Sequence, residues 1–485
     1  MKTFKDATEM AHAVRTHRVT PLELVEETIA QANKHNPNLN AIVSRRYEEA
    51  REEARTRDFS NLPFAGVPIF IKDLGQSLTG SLATSGSVLF QKNYARVTSR
   101  YVQKLQDLGF IILGTTNVPE FGFKNISDSK ANGAVNLPFD LSRNAGGSSG
   151  GAAALMTSGI TVISAASDGG GSIRIPASFN GLIGLKPSRG RIPTGPDSYR
   201  GWQGASVHFA LTKSVRDTKT FLFHMQECQF EGPFPLPLLS EDALFNTKTS
   251  SLTIAILSKE VDGRPFSDEV NRALEETANF LEKKGHTITW LASLPLDMDA
   301  LIDSYYFMNA AETAAMFDDI KQALGRSLTK NDMETMTWAI YQAGQNLKAK
   351  DYSKVISEWD LYSACMARFH KEYDLLITPT THDIAPKHGQ LDSDSDLMAK
   401  LAQAESYTSK EQLQLVKEMF KKGLALNPYT PLANLTGQPA ITLPLSLVNH
   451  NYPLGIQFMA AKGREDLLLQ VASLFEEAGR FKMKI

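Results

Sequence analysis

Hydrophobic and polar positions alternate with two different periods along this chain. Thr20-Pro21-Leu22-Glu23 opens the first clear helix. Thr20 is placed to cap it, Pro21 suits the first turn, and Glu23 completes a capping box. The segment LVEETIAQANKHNP keeps helical apolar spacing and predicts a stop at Asn36-Pro37. A second helix, rich in Glu and Arg, is predicted over 44–57, and another near 98–108. Between and after them the period shortens. FAGVPIFIKDL (64–74), FIILG (110–114) and TVISAAS (161–167) read as strands. So do LTIAIL (252–257), HTITWL (286–291), DLLITP (374–379), PAITLPL (439–445) and LGIQFMA (454–460). Helical patterns at 267–285 and 464–479 separate them, and 300–425 is mostly helical.

Strands alternating with helices predict an α/β fold: a large mixed central sheet with helices on both faces. No internal repeat, low-complexity tract or linker divides the chain. A single domain over 1–485 is expected, with a helical elaboration at about 300–425 and closing strands and helix at 428–480.

Composition narrows the function classes. Lys plus Arg is 51 against 53 for Asp plus Glu, so no net charge favours nucleic acid or anionic membranes. No apolar run reaches membrane-spanning length, and the N-terminus lacks the apolar stretch of a signal peptide. Two cysteines, Cys228 and Cys365, cannot build a disulfide framework or a four-cysteine metal site. Free thiols in a reducing, cytoplasmic setting are expected.

Candidate chemistry concentrates between 146 and 195, where glycine and serine are dense. Gly146-Gly147-Ser148-Ser149-Gly150-Gly151 spells G-x-S-x-G twice, centred on Ser148 and on Ser149. A nucleophile elbow needs a strand immediately before its serine. Here NLPFDLSRN precedes, with a proline and turn-forming residues, so an elbow is disfavoured. A P-loop is excluded because no Lys-Ser or Lys-Thr closes the glycine run. Further on, Gly169-Gly170-Gly171 leads into Ser172. A hydrolytic serine needs donors aimed at the oxyanion that forms on its substrate, and bare glycine amides can converge on one anion. Ser172 is therefore a candidate nucleophile. A histidine brought in by the fold could activate it, although the ten histidines are scattered. Lys72 is the other candidate base, provided that burial lowers its pKa. Asp73 would cancel that effect beside the ammonium, but adjacent side chains on a strand point to opposite faces.

Several stretches together resemble the amidase signature family. They are GVPIFIKDL around Lys72, GTTNVPEFG at 114–122, GGSSGGAAAL at 146–155 and SDGGGSIRIPASFNGLIGLKPSRGRIP at 167–193. Ser148 and Ser172 stand 24 positions apart, as the family's paired serines do. NLTGQPAITLPL (434–445) and LGIQFMAAKGREDLLLQVA (454–472) look like the family's closing strands and helix. The resemblance implies an amidase working through a serine acyl-enzyme, with no metal and no organic cofactor. Ser172 would be the nucleophile, Ser148 the proton relay after a cis peptide bond, and Lys72 the ultimate base. The oxyanion hole would be the amides of Gly169, Gly170, Gly171 and Ser172. Ser149, Asp168 and Arg174 would support the loop, the last two as a structural ion pair. Many members of the family carry a side chain where this chain has Gly169.

The resemblance also bears on the substrate. The segment Tyr199-Arg200-Gly201-Trp202-Gln203-Gly204-Ala205-Ser206-Val207-His208 departs from the pattern of the A subunit of glutamyl-tRNA amidotransferase. GRIPTGP, LTKSVRD and GREDLLLQVA look more like the 6-aminohexanoate-cyclic-dimer hydrolase branch. A small or cyclic, largely uncharged amide is the expected partner, with a homodimer allowed. Tyr305, Tyr306, Met308 and Trp338 are candidates for lining the pocket.

Overall fold

The computed structural model describes residues 4–246 and 251–484. A mixed sheet of eight strands forms its centre. Across the sheet run Thr287–Leu291, Thr253–Leu257, Leu375–Pro379, Tyr452–Ala460, Ala440–Val448, Ile183–Lys186, Val207–Thr212 and Ser164–Asp168. The first three are parallel neighbours, and every later pairing is antiparallel. In Leu375–Pro379 and Ile183–Lys186 every residue is buried whichever way it points, so both faces of the sheet centre are covered. Helices Asp268–Lys283, Glu465–Glu477 and Arg174–Asn180 pack against these central strands. The expected α/β architecture is the one observed.

A second sheet of three strands, Ile42–Arg45, Ile111–Thr116 and Pro68–Lys72, matters as much for the site. Pro68–Lys72 runs parallel to Ile111–Thr116, with Lys72 opposite Thr116. It lies against Ser164–Asp168, the edge strand of the large sheet. Gln76 ties the two sheets together: its Oε1 accepts from the Lys72 amide at 2.7 Å and its Nε2 donates to the Ala166 carbonyl at 2.9 Å.

The strands expected from apolar runs all form. The Thr20 capping box forms as well, with the Glu23 amide donating to Thr20 Oγ1. Three expectations need correction. The first clear helix does not stop at Asn36-Pro37 but runs to Leu39. Pro37 falls in its last turn, where it removes its own N–H bond, but the helix continues past it: the Asn40 amide donates to the Asn36 carbonyl at 2.8 Å and buried Leu39 anchors the end. The helix expected from 44 begins only at Tyr47, because Ile42–Arg45 pairs with Ile111–Thr116 as a strand. A short strand, Asp140–Asn144, does precede the Ser148 loop, but it belongs to a two-stranded hairpin outside the central sheet. Two central strands, Ile183–Lys186 and Val207–Thr212, were not anticipated. Lys186 interrupts the apolar pattern of the first, yet it is fully buried, with Nζ donating to the Pro187 carbonyl at 2.8 Å.

The C-terminal helix is fixed to the signature region by a buried ion pair. Glu465 accepts from Arg191 through both carboxylate oxygens, and from the Ser188 amide at 2.8 Å. Both side chains are almost fully enclosed. Glu465→Ala would leave the Arg191 guanidinium buried without its partner, and we expect a loss of about 3–5 kcal/mol in urea unfolding.

Candidate active site

Lys72 ends its strand with its side chain buried between the two sheets. Its Nζ donates to Ser148 Oγ at 2.7 Å, to Ser167 Oγ at 2.9 Å and to the Ser167 carbonyl at 3.2 Å. Lys72 makes no ion pair among the described residues. Burial therefore pulls its pKa down to about 7, against an opposing pull from the Asp168 charge. Asp73, the first residue beyond the strand, makes no ion pair with Lys72 and accepts from the Thr84 amide at 2.8 Å.

Ser148 follows a cis peptide bond from Gly147. Its side chain and that of Ser172 line one pocket, together with Gly169, Gly170 and Ser167. Phe121, Trp202, Tyr305, Tyr306, Phe420 and Pro431 are among its apolar walls. Tyr306 stacks on Phe420, with ring centroids 5.1 Å apart. Lys124 is the one charged residue in the lining, and it is paired with Asp128 and with Glu334. None of the ten histidines lines this pocket. The nearest to Lys72, His208, stacks on Tyr101 at 5.1 Å, and burial, then the Lys72 charge, holds its pKa down at about 4.

The loop between Asp168 and Arg174 is held from below. Arg174 donates to Asp168 through Nε and Nη2, each at 2.9 Å. Its remaining donors reach Gln457 Oε1 at 2.7 Å and Asn434 Oδ1 at 2.6 Å. Burial alone would raise the Asp168 pKa, but the Arg174 charge and the Arg174 and Asn434 hydrogen bonds hold it far below the usual carboxylate range. Asp168 also accepts from the amides of Gly171 at 2.7 Å and Ile173 at 3.1 Å. This corrects one sequence expectation. The Gly171 amide is committed to a carboxylate, so the bare amides of the loop are those of Gly169, Gly170 and Ser172, which have no protein acceptor among the described residues.

The three glycines also differ sterically. A Cβ on Gly170 would meet Tyr305 Oη at 2.5 Å, and one on Gly171 would meet Thr430 Oγ1 at 2.6 Å. Gly171 has φ +134°, which side chains resist. A Cβ on Gly169 would meet nothing nearer than Ser206 Cβ at 3.7 Å.

Other expected residues divide. Ser149 is fully buried and does not reach the pocket; its Oγ donates to the Ser167 carbonyl at 3.2 Å. Tyr305 and Tyr306 line the pocket. Met308 does not: it is turned into the core and fully buried. Trp338 stands instead in a neighbouring cavity with Glu334 and Met398, its Nε1 donating to Glu405 Oε2 at 2.9 Å. Both are candidates only as members of the apolar and aromatic stretch 300–345, and such a stretch does not say which face of a helix meets the pocket. Sequence reasoning missed Ser167, Asn434 and Gln457, whose partners lie far away along the chain or on another sheet.

A lysine buried without a counter-charge, two serines on one pocket and a row of free amides together indicate acyl-transfer chemistry. The family model described as Amidase matches residues 23–469. The chain belongs to the amidase signature family. It is an amidase, a hydrolase of amide bonds. It is 37% identical over 476 residues to a lipoamidase of Enterococcus faecalis; the match covers 98% of this chain and 63% of that longer relative. It is 31% identical over 484 residues to a 6-aminohexanoate-cyclic-dimer hydrolase of Paenarthrobacter ureafaciens, with 98% and 95% covered. A solved structure of 6-aminohexanoate cyclic dimer hydrolase complexed with substrate superposes with a TM-score of 0.86 at 30% identity, covering 98% of this chain and 96% of that one. No helix among the described residues of this amidase is long and apolar enough to cross a membrane.

The glycine geometry generates a test in this amidase. Gly171→Ala combines a clash with a disfavoured φ and should cost about 1–3 kcal/mol, read as a lower midpoint in thermal unfolding. Gly169→Ala should unfold within about 0.5 kcal/mol of the unaltered protein, the usual range for a substitution that disturbs no packing.

Proposed function

We propose that this amidase cleaves a small or cyclic, largely uncharged amide by a Ser172–Ser148–Lys72 relay. The observation that carries the reading is the Lys72 amine, buried without a carboxylate partner and 2.7 Å from Ser148 Oγ. A neutral amine has two N–H groups and one lone pair. The Ser167 carbonyl and Ser167 Oγ can accept the two N–H groups, which leaves the lone pair for the Ser148 hydroxyl. Lys72 then takes the Ser148 proton while Ser148 takes the proton of Ser172. Ser172 Oγ attacks the amide carbon, and the developing oxyanion is held by the amides of Gly169, Gly170 and Ser172. The proton returns through Ser148 to the leaving nitrogen as the C–N bond breaks. Water, deprotonated by the same relay, releases the acid and regenerates Ser172.

The lining supports an uncharged substrate. Aromatic and aliphatic side chains dominate it, and the charge of Lys124 is already compensated by Asp128 and Glu334. Both the cyclic-dimer hydrolase and the lipoamidase named above are amide hydrolases by name, which is consistent with such a substrate. A panel containing 6-aminohexanoate cyclic dimer, lipoamide, simple aliphatic amides and glutamine decides among them. Turnover of an uncharged amide by the protein alone is expected. Turnover of glutamine only, and only with an added partner, would replace this reading with an amidotransferase subunit.

Two further outcomes follow from the relay. Ser172→Ala should abolish labelling by a serine-directed phosphonate; labelling that persists would remove Ser172 as the nucleophile. Because the base form of Lys72 is the deprotonated one, kcat/KM should rise with pH through a pKa near 7. Lys72→Ala should lower kcat by about 10²–10⁴-fold and lose that limb of the pH profile.

A further inference from the structure

A side chain at Gly170 would have to displace the Tyr305 hydroxyl, and one at Gly171 would press on Thr430 and Ile175. Gly169 is different. It lines the catalytic pocket, its φ is not left-handed, and a Cβ there would stand 3.7 Å from its nearest neighbour. Its missing side chain leaves a hollow beside the nucleophile. The neighbour across that hollow is Ser206, whose hydroxyl makes no hydrogen bond to protein among the described residues. Ser206 also lines a smaller cleft bounded by Tyr199, Gly201 and Phe234. Gly201 faces Ser206 in the same way, with 3.6 Å between Ser206 Cβ and any added Cβ. Two glycines thus leave Ser206 bare on both sides.

The segment that carries Ser206 is unusual in its backbone. Trp202 and Gln203 are consecutive non-glycine residues with φ of +48° and +50°. Such conformations are costly and persist where surrounding structure enforces them, often beside ligands. This one sets the Trp202 indole in the pocket wall, with its enclosed Nε1 lacking any acceptor among the described residues, and Ser206 opposite Gly169. Two charges stand by this hollow, and both are engaged: Asp168, next to Gly169 in the chain, accepts from Arg174, Asn434 and the amides of its own loop, and Arg189, in the smaller cleft, donates through Nε and Nη2 to the carbonyls of Gly204, Asn434 and Leu435.

The geometry points to a substrate subsite formed by Gly169 and Ser206. It takes the substituent next to the reacting carbonyl: an uncharged group, wider than a linear chain, that carries a hydrogen-bond acceptor for the Ser206 hydroxyl. This rests on the relay reading above and adds what selects the amide. Gly169 supplies room, and Ser206 supplies the donor.

The test compares three amides on the full-length protein: hexanamide, cyclohexanecarboxamide and 6-aminohexanoate cyclic dimer. Gly169→Val fills the hollow. Because Gly169 also presents an oxyanion-hole amide, the readout is the ratio between substrates: we expect kcat/KM for the two wide amides to fall about tenfold or more beyond any fall for hexanamide, the scale on which pocket volume discriminates. Gly169→Ala should fall between, and it stands in for the valine if that variant does not fold. Ser206→Ala should raise KM for the cyclic dimer, whose second amide offers an acceptor, by a larger factor than KM for hexanamide, which has no second acceptor. An equal loss on all three amides, or no loss on any, overturns the subsite. So does an unaltered protein that hydrolyses hexanamide but neither wide amide. If no amide of any panel is hydrolysed, the relay reading fails instead.

Discussion

The pairing of Asp168 with Arg174 governs the chemistry of this site from underneath. A carboxylate near a buried lysine ordinarily keeps the lysine charged. Here the carboxylate is saturated by Arg174, Asn434 and the amides that follow it in the loop. Its influence on Lys72 remains an opposing term that burial outweighs. Asp168 thus shapes the loop that presents Ser172 while leaving Lys72 without a salt bridge. Arg174 is fully enclosed as well, and each of its partners comes from a strand, helix or loop of the closing region or the signature. The amide row is rigid because every group beneath it is committed.

Much of this was legible in the sequence, for physical reasons. FIILG is a continuous apolar run and LTIAIL is one broken only by Thr253, as strands buried within the fold require. The Thr20 cap rests on neighbours three residues apart, so it needs no tertiary information. The separation of Lys72 from Asp73 was expected from a strand pleat, but it arises at a turn, because the strand ends at Lys72. The pairing of the serines was legible as a family pattern, while the glycine row already pointed to an anion site on chemical grounds.

What stayed hidden depended on distant partners. Lys186 made Ile183–Lys186 look unlike a central strand, because a lysine can sit inside a sheet only if a carbonyl is waiting for it. Nothing local announced that the Gly171 amide would turn toward Asp168, which removes it from the row that a reading of three glycines suggests. Met308 and Trp338 share helices with residues that face the catalytic pocket or its neighbours, and only packing distinguishes the faces. Ser167 was passed over as part of a strand, although its hydroxyl and carbonyl are what fix the orientation of the lysine amine.

The two sheets give the site one more property. Lys72 belongs to the small sheet, while Ser167, Asp168 and the loop bearing Ser172 grow from the edge strand of the large one. Their seam is joined by Gln76 and by Lys72 itself. Each sheet could be intact, with every side chain of the relay present, and the relay would still be open until the two edges meet. Water reaching that seam would also solvate the amine and return it to its ordinary charged state. Sheet docking is therefore what buries the lysine and lowers its pKa, and under the proposed relay hydrolysis would report on it directly.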